Sequence, residues 1–160
     1  MRVLVIIFIC LVAGKVCASL PLQVSDEDLV KKTDHILIGR VVGVDMIDAY
    51  GKQITDPDAK TGPGIKNKIR LIIKVDEVLQ TNVSEVPKEL YVPMDSFMHY
   101  SLGAIKEYYP EISEQRLILL SGKKFQPPVA GHFQRLLTKK DYYLDLFKTN
   151  ESLQQNDSVE

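Results

Sequence analysis

Apolar and polar residues alternate over residues 68–80, KIRLIIKVDEVLQ, with one exception at Ile72. A period of two places the apolar side chains on one face of an extended chain, so this segment is predicted to be a half-buried strand. The run at residues 35–44 is rich in β-branched side chains and contains Gly39 and Gly43. It is predicted to be a second long strand, bent or bulged at one of the two glycines.

Three shorter strands are predicted after these two. Residues 90–94 include Pro93, which has no N–H group to donate and therefore belongs at the edge or the end of a strand. Residues 116–120 are a mostly apolar run typical of a buried strand, and residues 132–137 are the last extended segment.

Three helices are predicted around the strands. The first covers residues 25–33 and begins at Ser25, which precedes an acidic side chain by three positions in the pattern of a capping box. Apolar residues that recur every three to four positions predict a short helix from residue 101 to Pro110. Residues 140–148 repeat large apolar side chains at helical spacing, and the polar residues 149–160 are expected to be disordered.

The connection at residues 45–67 is long and contains repeated turn signals, among them Gly62-Pro63-Gly64. It is expected to be exposed and mobile. The apolar residues predicted to face the interior of the sheet are Ile36, Ile38, Val41, Leu71, Ile73, Val75, Leu117 and Leu119. A register slip of one residue would invert this facing.

The first eighteen residues have the features of a secretory signal peptide. Residues 1–18 combine an early arginine, an apolar run and small residues up to Ala18, after which cleavage is expected. The apolar run is shorter than the roughly 20 residues of a membrane helix, so no membrane span is expected after cleavage, and retention as an anchor is the alternative. The chain is therefore divided into a signal peptide at 1–18, a single domain at 19–148 and a tail at 149–160.

Composition narrows the range of functions. The chain is 45% hydrophobic and 26% charged, as is typical of a soluble globular domain. Cleavage removes Arg2 and Lys15, which changes the formal net charge from −1 to −3, and it also removes Cys10 and Cys17. A net negative charge disfavours nucleic acid as a partner, because neutralising phosphates calls for a basic face. A chain without cysteine has no disulfide, thiol nucleophile or cysteine-ligated metal.

The predicted order β-β-β-α-β-β is that of the OB-fold, a small five-stranded Greek-key barrel. Three segments, TDHILIGRVVGV at 33–44, IKVDEVL at 73–79 and RLILL at 116–120, resemble those of netrin-like or tissue-inhibitor-of-metalloproteinase-like domains, including small exported bacterial versions. The resemblance covers residues 25–137. It implies a mainly β fold, an OB-like barrel with flanking short α-helices, in a secreted or periplasmic protein of a bacterium.

The resemblance transfers no inhibitor residue to this chain. The animal inhibitors engage a protease zinc through the amine of an N-terminal cysteine, and the chain expected after cleavage has no cysteine. Inhibition of metalloproteinases is therefore not expected to carry over, and the fold alone implies no function.

The three histidines do not predict a metal or catalytic site. No two of them have the i, i+4 spacing of a helical metal site. His35 and His132 lie in predicted strands, where a hydrogen-bonded structural role is the better interpretation. His99 belongs to an aromatic segment that either faces a ligand or docks the neighbouring helix, and helix docking is favoured. No catalytic residue, metal or cofactor is predicted.

Two further sets of residues carry formal motifs. Four acidic residues of the 45–67 connection suggest calcium at first sight: Asp45, Asp48, Asp56 and Asp58. Asn67 stands where a calcium loop needs a bidentate glutamate, so a solvated loop is predicted instead. Three N-glycosylation sequons begin at Asn82, Asn150 and Asn156, and they matter only in a eukaryotic source.

Three classes of function remain open. The leading hypothesis is an exported non-enzymatic binding module, an inhibitor or immunity-type protein that acts on an extracytoplasmic protein partner through the 45–67 connection and residues 91–100. The alternatives are a small structural or assembly component of the envelope and a hydrolase that uses histidine and carboxylate groups. The residues predicted to contact the partner are Tyr50, Asp56, Asp58, Tyr91, Phe97, His99 and Tyr100.

Overall fold

A computed structural model describes residues 23–109 and 114–157. The predicted signal peptide at 1–18 lies outside the described residues. The elements follow the predicted order, and their bounds are α1 Asp26–Lys31, β1 His35–Ile47, β2 Lys68–Gln80, β3 Glu89–Pro93, α2 Leu102–Tyr108, β4 Arg116–Leu120, β5 Gln134–Leu136, a 3-10 turn at Leu137–Lys139 and α3 Lys140–Asp157. The prediction of a mainly β fold is confirmed.

The five strands form one antiparallel sheet in the order β3-β2-β1-β4-β5. In this order β4 lies beside β1, and β1, β2 and β3 follow one another, which is the arrangement of a Greek key. The helix α2 is part of the connection from β3 back to β4. Among the described residues β3 and β5 do not pair, so the sheet is open along these two edges.

The central strand β1 is irregular at both of its glycines, whereas its sequence predicts a bend or bulge at one of them. Its pairing with β2 shifts register between Ile38 and Gly39 and again between Val41 and Gly43. A Cβ atom at Gly39 would lie 2.7 Å from the carbonyl oxygen of Lys74 on β2, so the two backbones approach more closely than any side chain would allow. Such shifts bend a strand and increase its twist, so β1 curves the sheet.

Pro93 is the last residue of β3, and β3 is an edge strand. Pro93 therefore lies both at the end of its strand and at the edge of the sheet, the two locations predicted for it. The final strand is shorter than predicted and keeps only Gln134–Leu136 of residues 132–137. The preceding Phe133 still accepts a hydrogen bond through its carbonyl oxygen, from the Leu119 N–H at 2.8 Å, so the pairing with β4 begins before the regular strand.

Apolar residues are buried on both faces of the sheet. One face and α2 form the interior cluster, Leu37, Val41, Val44, Met46, Ile69, Leu71, Ile73, Leu90, Val92, Leu102, Ile105, Ile118, Leu120, Phe125 and Phe133. The other face packs under α1 and α3 in the helix-facing cluster, Leu29, Val30, Ile36, Leu117, Leu119 and Tyr143.

The predicted facing is therefore wrong for four residues. Ile38 is buried but absent from the interior cluster, and it stands opposite Leu117 in the pairing of β1 with β4, on the same face of the sheet as Leu117. Ile36, Leu117 and Leu119 point to the helices, and their neighbours Leu37 and Ile118 occupy the interior instead. Val41, Leu71 and Ile73 do lie in the interior cluster, and Val75 packs against it from a half-buried position. Strands that are buried on both faces show no alternation of polar and apolar residues, so their pattern does not identify the inner face.

Tyr143 of α3 joins the helix layer to β5 and α1. Its side chain is fully buried, its hydroxyl donates to Asp26 Oδ1 at 2.5 Å, and it accepts from Arg135 Nε at 2.6 Å. Burial, followed by the hydrogen bond to Asp26, raises the pKa of Tyr143 to about 12. The phenol must remain protonated for the bond to Asp26 to exist.

The C-terminal helix is longer than predicted. It runs through Asp157 rather than ending near Lys148, so its last turns occupy residues that their polar composition predicts to be disordered. Within this extension the side chains of Thr149 and Asn150 each donate to a backbone carbonyl oxygen four residues earlier, so two polar groups of the helix are bonded to its own backbone. In the described parts of the chain, no helix has the length and apolar character that a membrane crossing would require.

Truncation of Leu119 tests the helix-facing cluster. Leu119→Ala removes a fully buried side chain and should lower the free energy of unfolding by roughly 2–5 kcal/mol. Leu136→Ala is the matched control, because Leu136 is 54% exposed and its loss should change stability little. Urea unfolding of the two variants and the wild type measures both values. Equal effects would mean that Leu119 is not buried between the sheet and the helices.

Alkaline titration tests the bond from Tyr143 to Asp26. A raised pKa favours the neutral phenol in the folded state, so this contribution is complete below pH 10 and is lost as the pH rises toward 12. Tyr143→Phe should therefore lose less stability than the wild type over that interval, measured by denaturant unfolding at each pH. Parallel losses in the two proteins would show that the titration of Tyr143 is not linked to folding.

Candidate functional site

The connection after β1 is tied to its surroundings at several points, although its sequence predicts a mobile loop. Its first part forms a turn in which the Asp48 carboxylate accepts from the N–H groups of Tyr50 and Lys52 at 2.8 and 2.9 Å. Its second part contacts the start of α2, where the Gly103 N–H donates to the Pro57 carbonyl oxygen at 2.9 Å. The connection is therefore held near its start and near its middle.

Thr61 holds this connection against the segment that follows β3. The Thr61 side chain is buried, and its hydroxyl donates to the Met98 carbonyl oxygen at 2.9 Å and accepts from the Tyr100 N–H at 3.2 Å. The Thr61 N–H also donates to the Tyr100 carbonyl oxygen at 2.9 Å. Three hydrogen bonds to one threonine thus position the aromatic segment from Phe97 to Tyr100.

His99 packs directly on Gly62. A Cβ atom at position 62 would lie 2.4 Å from His99 Nδ1, and Gly62 has a φ of +145°, which side chains rarely adopt. Glycine is therefore required there both for the backbone and for the ring of His99. The side chain of His99 remains exposed and contributes to the attachment of the 45–67 connection.

A shallow groove crosses the outer side of the sheet near the free edge of β3. This edge groove has a volume of about 470 Å³. Its walls come from the β1 end, β2, β3 and the segments after β3 and β4: Ile47, Lys68, Arg70, Tyr91, Pro93, Met94, Asp95, Ser96, Phe97, Gln126, Pro127 and Ala130. Apolar side chains alternate there with a few polar groups, as in most binding sites.

Tyr91 is held rigidly in the edge groove. Its hydroxyl donates to Glu89 Oε1 at 2.7 Å, and the Arg70 guanidinium lies over its ring with Cζ 4.8 Å from the centroid. Arg70 is fixed in turn by two hydrogen bonds to the Asp45 carboxylate, one of them 2.9 Å from Nε to Oδ1. The bond to Glu89 raises the pKa of Tyr91, and the bond to Asp45 raises that of Arg70. Tyr91 is therefore neutral and Arg70 charged near neutral pH.

A second concavity, the tyrosine pocket, lies between α2 and the open gap from β3 to β5. It has a volume of about 370 Å³ and is lined by Leu71, Met94, Asp95, Tyr100, Ile105, Tyr108, Tyr109, Gly131, Phe133 and Gln134. Met94 and Asp95 line both concavities, so the start of the segment after β3 separates them. The Gln134 side-chain amide donates to the Tyr109 hydroxyl at 3.5 Å across the gap.

The structure brings only part of the predicted contact residues together. Tyr91 and Phe97 line the edge groove, and Tyr100 lines the tyrosine pocket. The other predicted residues, Tyr50, Asp56, Asp58 and His99, line neither concavity. Tyr50 is 95% exposed at the tip of its turn.

The two loop acids have a local role. The carboxylate of Asp56 accepts from the Asp58 N–H at 2.9 Å and closes a short turn. In the described residues no group of three or more histidine, cysteine, aspartate or glutamate side chains could hold a metal ion. Asp48 and Asp56 thus stabilise turns within the 45–67 connection, whereas Asp45 holds Arg70.

His35 has the structural role that its strand position predicts. It is fully buried, with Nδ1 2.8 Å from Thr81 Oγ1, Nε2 3.1 Å from the Gly122 carbonyl oxygen and its ring 4.6 Å from that of Phe125. Both ring nitrogens have partners, so His35 joins β1 to the turns after β2 and β4.

Sequence reasoning missed most of the residues that line the two concavities. The alternation over residues 68–80 predicts only a strand at Lys68 and Arg70, and Pro127 lies outside every predicted element. The adjacent pair Tyr108 and Tyr109 at the end of α2 was a detectable signal, because two neighbouring tyrosines on a short helix cannot both enter the core. Their convergence with Phe133 depends on the return of the chain to β5.

The hydroxyl of Thr61 provides a direct test of how the aromatic segment is held. Thr61→Val keeps the shape of the side chain but leaves the Met98 carbonyl and the Tyr100 N–H without a partner, which should lower the free energy of unfolding by about 1–3 kcal/mol. Hydrogen exchange of the Tyr100 N–H should also become faster. Thr55→Val is the control, because Thr55 is exposed in the same connection. The attachment is disproved if both variants behave like the wild type.

Comparisons with known proteins add nothing to the description of the site. No family model, curated protein or solved structure matches the chain. Its function is therefore inferred from the arrangement of its own residues.

Proposed function

We propose that this chain is an exported, non-enzymatic binding module that docks an extracytoplasmic protein partner in the edge groove, in the manner of an inhibitor or an immunity-type protein. The proposal rests on two aromatic side chains that line the same groove, Phe97, which is exposed, and Tyr91, which is held rigidly. Phe97 is 76% exposed, and it lines the same groove as Tyr91. A large exposed apolar side chain beside a concavity is typical of a protein interaction site.

The groove is preorganised for binding. Phe97 lies in a segment whose backbone is fixed, because its N–H donates to Asp95 Oδ1 at 2.9 Å and Thr61 holds the residues that follow. Tyr91 is fixed by Glu89 and Arg70. Aromatic side chains that are already ordered lose little entropy on binding, which is why tyrosine and tryptophan dominate the energetics of interfaces.

The charges of the groove indicate the chemistry of the partner. Arg70 is already paired with Asp45, whereas Lys68 is exposed and makes no ion pair with any described residue. An exposed loop of the partner that carries an apolar side chain for the space between Phe97 and Pro127, and an acidic side chain for Lys68, fits this arrangement. The acid would contribute mainly to orientation and association rate.

We further propose that the sheet is an OB-like barrel in a partly open form, related to the netrin-like domains that its sequence resembles. The Greek-key order of its strands, the helix between β3 and β4 and the bulged, curved β1 support this assignment. Loops on such a rigid scaffold are the usual location of binding residues. Export rests on the features of residues 1–18.

Site-specific photocrosslinking tests the docking site. The photoreactive amino acid p-benzoylphenylalanine is incorporated in place of Phe97 in the full chain, expressed in its native cells, and in a second protein in place of Tyr142 of α3. Both positions are exposed, at 76% and 46%, but only position 97 lines the groove. Irradiation should give one discrete adduct at position 97 and none at position 142, and mass spectrometry should identify one protein.

The identified protein is then purified and its affinity measured. Phe97→Ser should weaken its binding by at least about tenfold, as expected for a central aromatic side chain of an interface. Tyr142→Ser should leave the affinity unchanged. Absence of an adduct, equal adducts at both positions, or full affinity of Phe97→Ser would contradict docking in the edge groove.

A further inference from the structure

The tyrosine pocket has the composition of a cage for an organic cation. Its lining includes the rings of Tyr100, Tyr108, Tyr109 and Phe133. The rings of Tyr108 and Tyr109 meet edge to face, with centroids 5.0 Å apart and planes at 84°. Rings that stand at an angle to one another can surround a single group on several sides, and the negative face of each ring attracts a cation.

One negative charge completes this arrangement. Asp95 is the only charged residue among the described residues that line the pocket. Its Oδ1 accepts from the Phe97 N–H, which fixes the carboxylate, and no described residue donates to its Oδ2. Burial, and after it the charge of Asp95, raises the pKa of Tyr100, and burial raises that of Tyr109. The phenols of Tyr100 and Tyr109 are therefore neutral at physiological pH.

The lining selects among possible cations. A metal ion that leaves water needs several oxygen ligands, usually with more than one carboxylate or carbonyl among them, and Asp95 is the only carboxylate among the described lining residues. A primary ammonium needs an acceptor for each of its three N–H groups, whereas most of this lining is aromatic or apolar. Each N-methyl group removes an N–H that would otherwise need an acceptor and replaces it with apolar surface. Leu71, Ile105 and Phe133, all buried, provide the apolar floor for such a group. The volume of about 370 Å³ suits a small molecule.

We propose that the tyrosine pocket binds a trimethylammonium group, carried either by a small free compound or by the headgroup of a choline lipid. The positive charge lies near Asp95, and the methyl groups contact the rings of Tyr100, Tyr108 and Tyr109. This site shares Met94 and Asp95 with the edge groove, but Phe97 and Tyr91, the aromatic side chains of the proposed docking site, do not line it.

A pair of isosteric probes separates recognition of charge from recognition of shape. Choline and 3,3-dimethylbutan-1-ol have the same shape, but the second carries carbon in place of the charged nitrogen. Calorimetric titration of the full chain should show choline binding at least about fivefold more tightly than the neutral alcohol, the difference expected for a partly desolvated cation on aromatic rings. Equal affinities, or no binding of choline at millimolar concentrations, would overturn the proposal.

Substitutions at Tyr108 and Asp95 locate the bound cation. Tyr108 is 75% exposed, so Tyr108→Leu should fold normally, as circular dichroism can verify, while weakening choline binding by about fivefold. Tyr108→Phe keeps the ring and should bind like the wild type. Asp95→Asn keeps an acceptor for the Phe97 N–H but removes the charge, and it should also weaken binding. Wild-type affinity in both Tyr108→Leu and Asp95→Asn would place choline elsewhere.

Vesicles distinguish the two sources of the trimethylammonium group. Cosedimentation with phosphatidylcholine vesicles that free choline reverses would assign the lipid headgroup. Binding of free choline without cosedimentation would assign a small soluble compound. The Phe97→Ser variant should bind choline normally in either case, because Phe97 does not line the tyrosine pocket. Failure of the docking proposal would therefore leave choline binding unchanged, and failure of choline binding would leave the photocrosslink at position 97 unchanged.

Discussion

The close approach of β1 and β2 at Gly39 is the constraint on which the rest of the fold depends. The missing side chain lets the Lys74 carbonyl oxygen lie 2.7 Å from the position that a Cβ atom would occupy. The register shifts beside it, and again before Gly43, bend the longest pair of strands in the sheet. Because β1 pairs with β2 on one side and β4 on the other, its curvature is passed to the whole sheet.

The curved sheet explains both layers of the core. One side packs with α2 around the interior cluster, and the other side is covered by α1 and α3. The strands β1 and β4 are buried on both sides, so neighbouring residues such as Leu117 and Ile118 belong to different clusters. Tyr143, Asp26 and Arg135 join the two helices of the outer layer to β5 with charged and polar groups rather than with further apolar packing.

The open gap between β3 and β5 explains where the two concavities lie. Neither edge strand pairs with the other in the described residues, and the segments that follow β3 and β4 approach this gap instead. Met94 and Asp95 stand between the edge groove and the tyrosine pocket. Thr61 anchors the segment that begins there, so the same hydrogen bonds position residues of both proposed sites. Rigidity of this kind favours binding, because few side chains and loops then lose conformational entropy when a partner binds.

The sequence by itself determined the order and nature of the elements, the bounds Lys68–Gln80 and Arg116–Leu120, the edge position of Pro93 and the irregularity at the glycines of β1. These features depend on residues close in the chain, whose hydrophobic period and backbone freedom are local properties. The tertiary structure alone decided which face of β1 and β4 meets the helices and which aromatic residues converge. Tyr91 and Pro127, or Tyr109 and Phe133, become neighbours only after the chain has crossed the sheet, and no local pattern encodes contacts between residues that the fold brings together from distant segments.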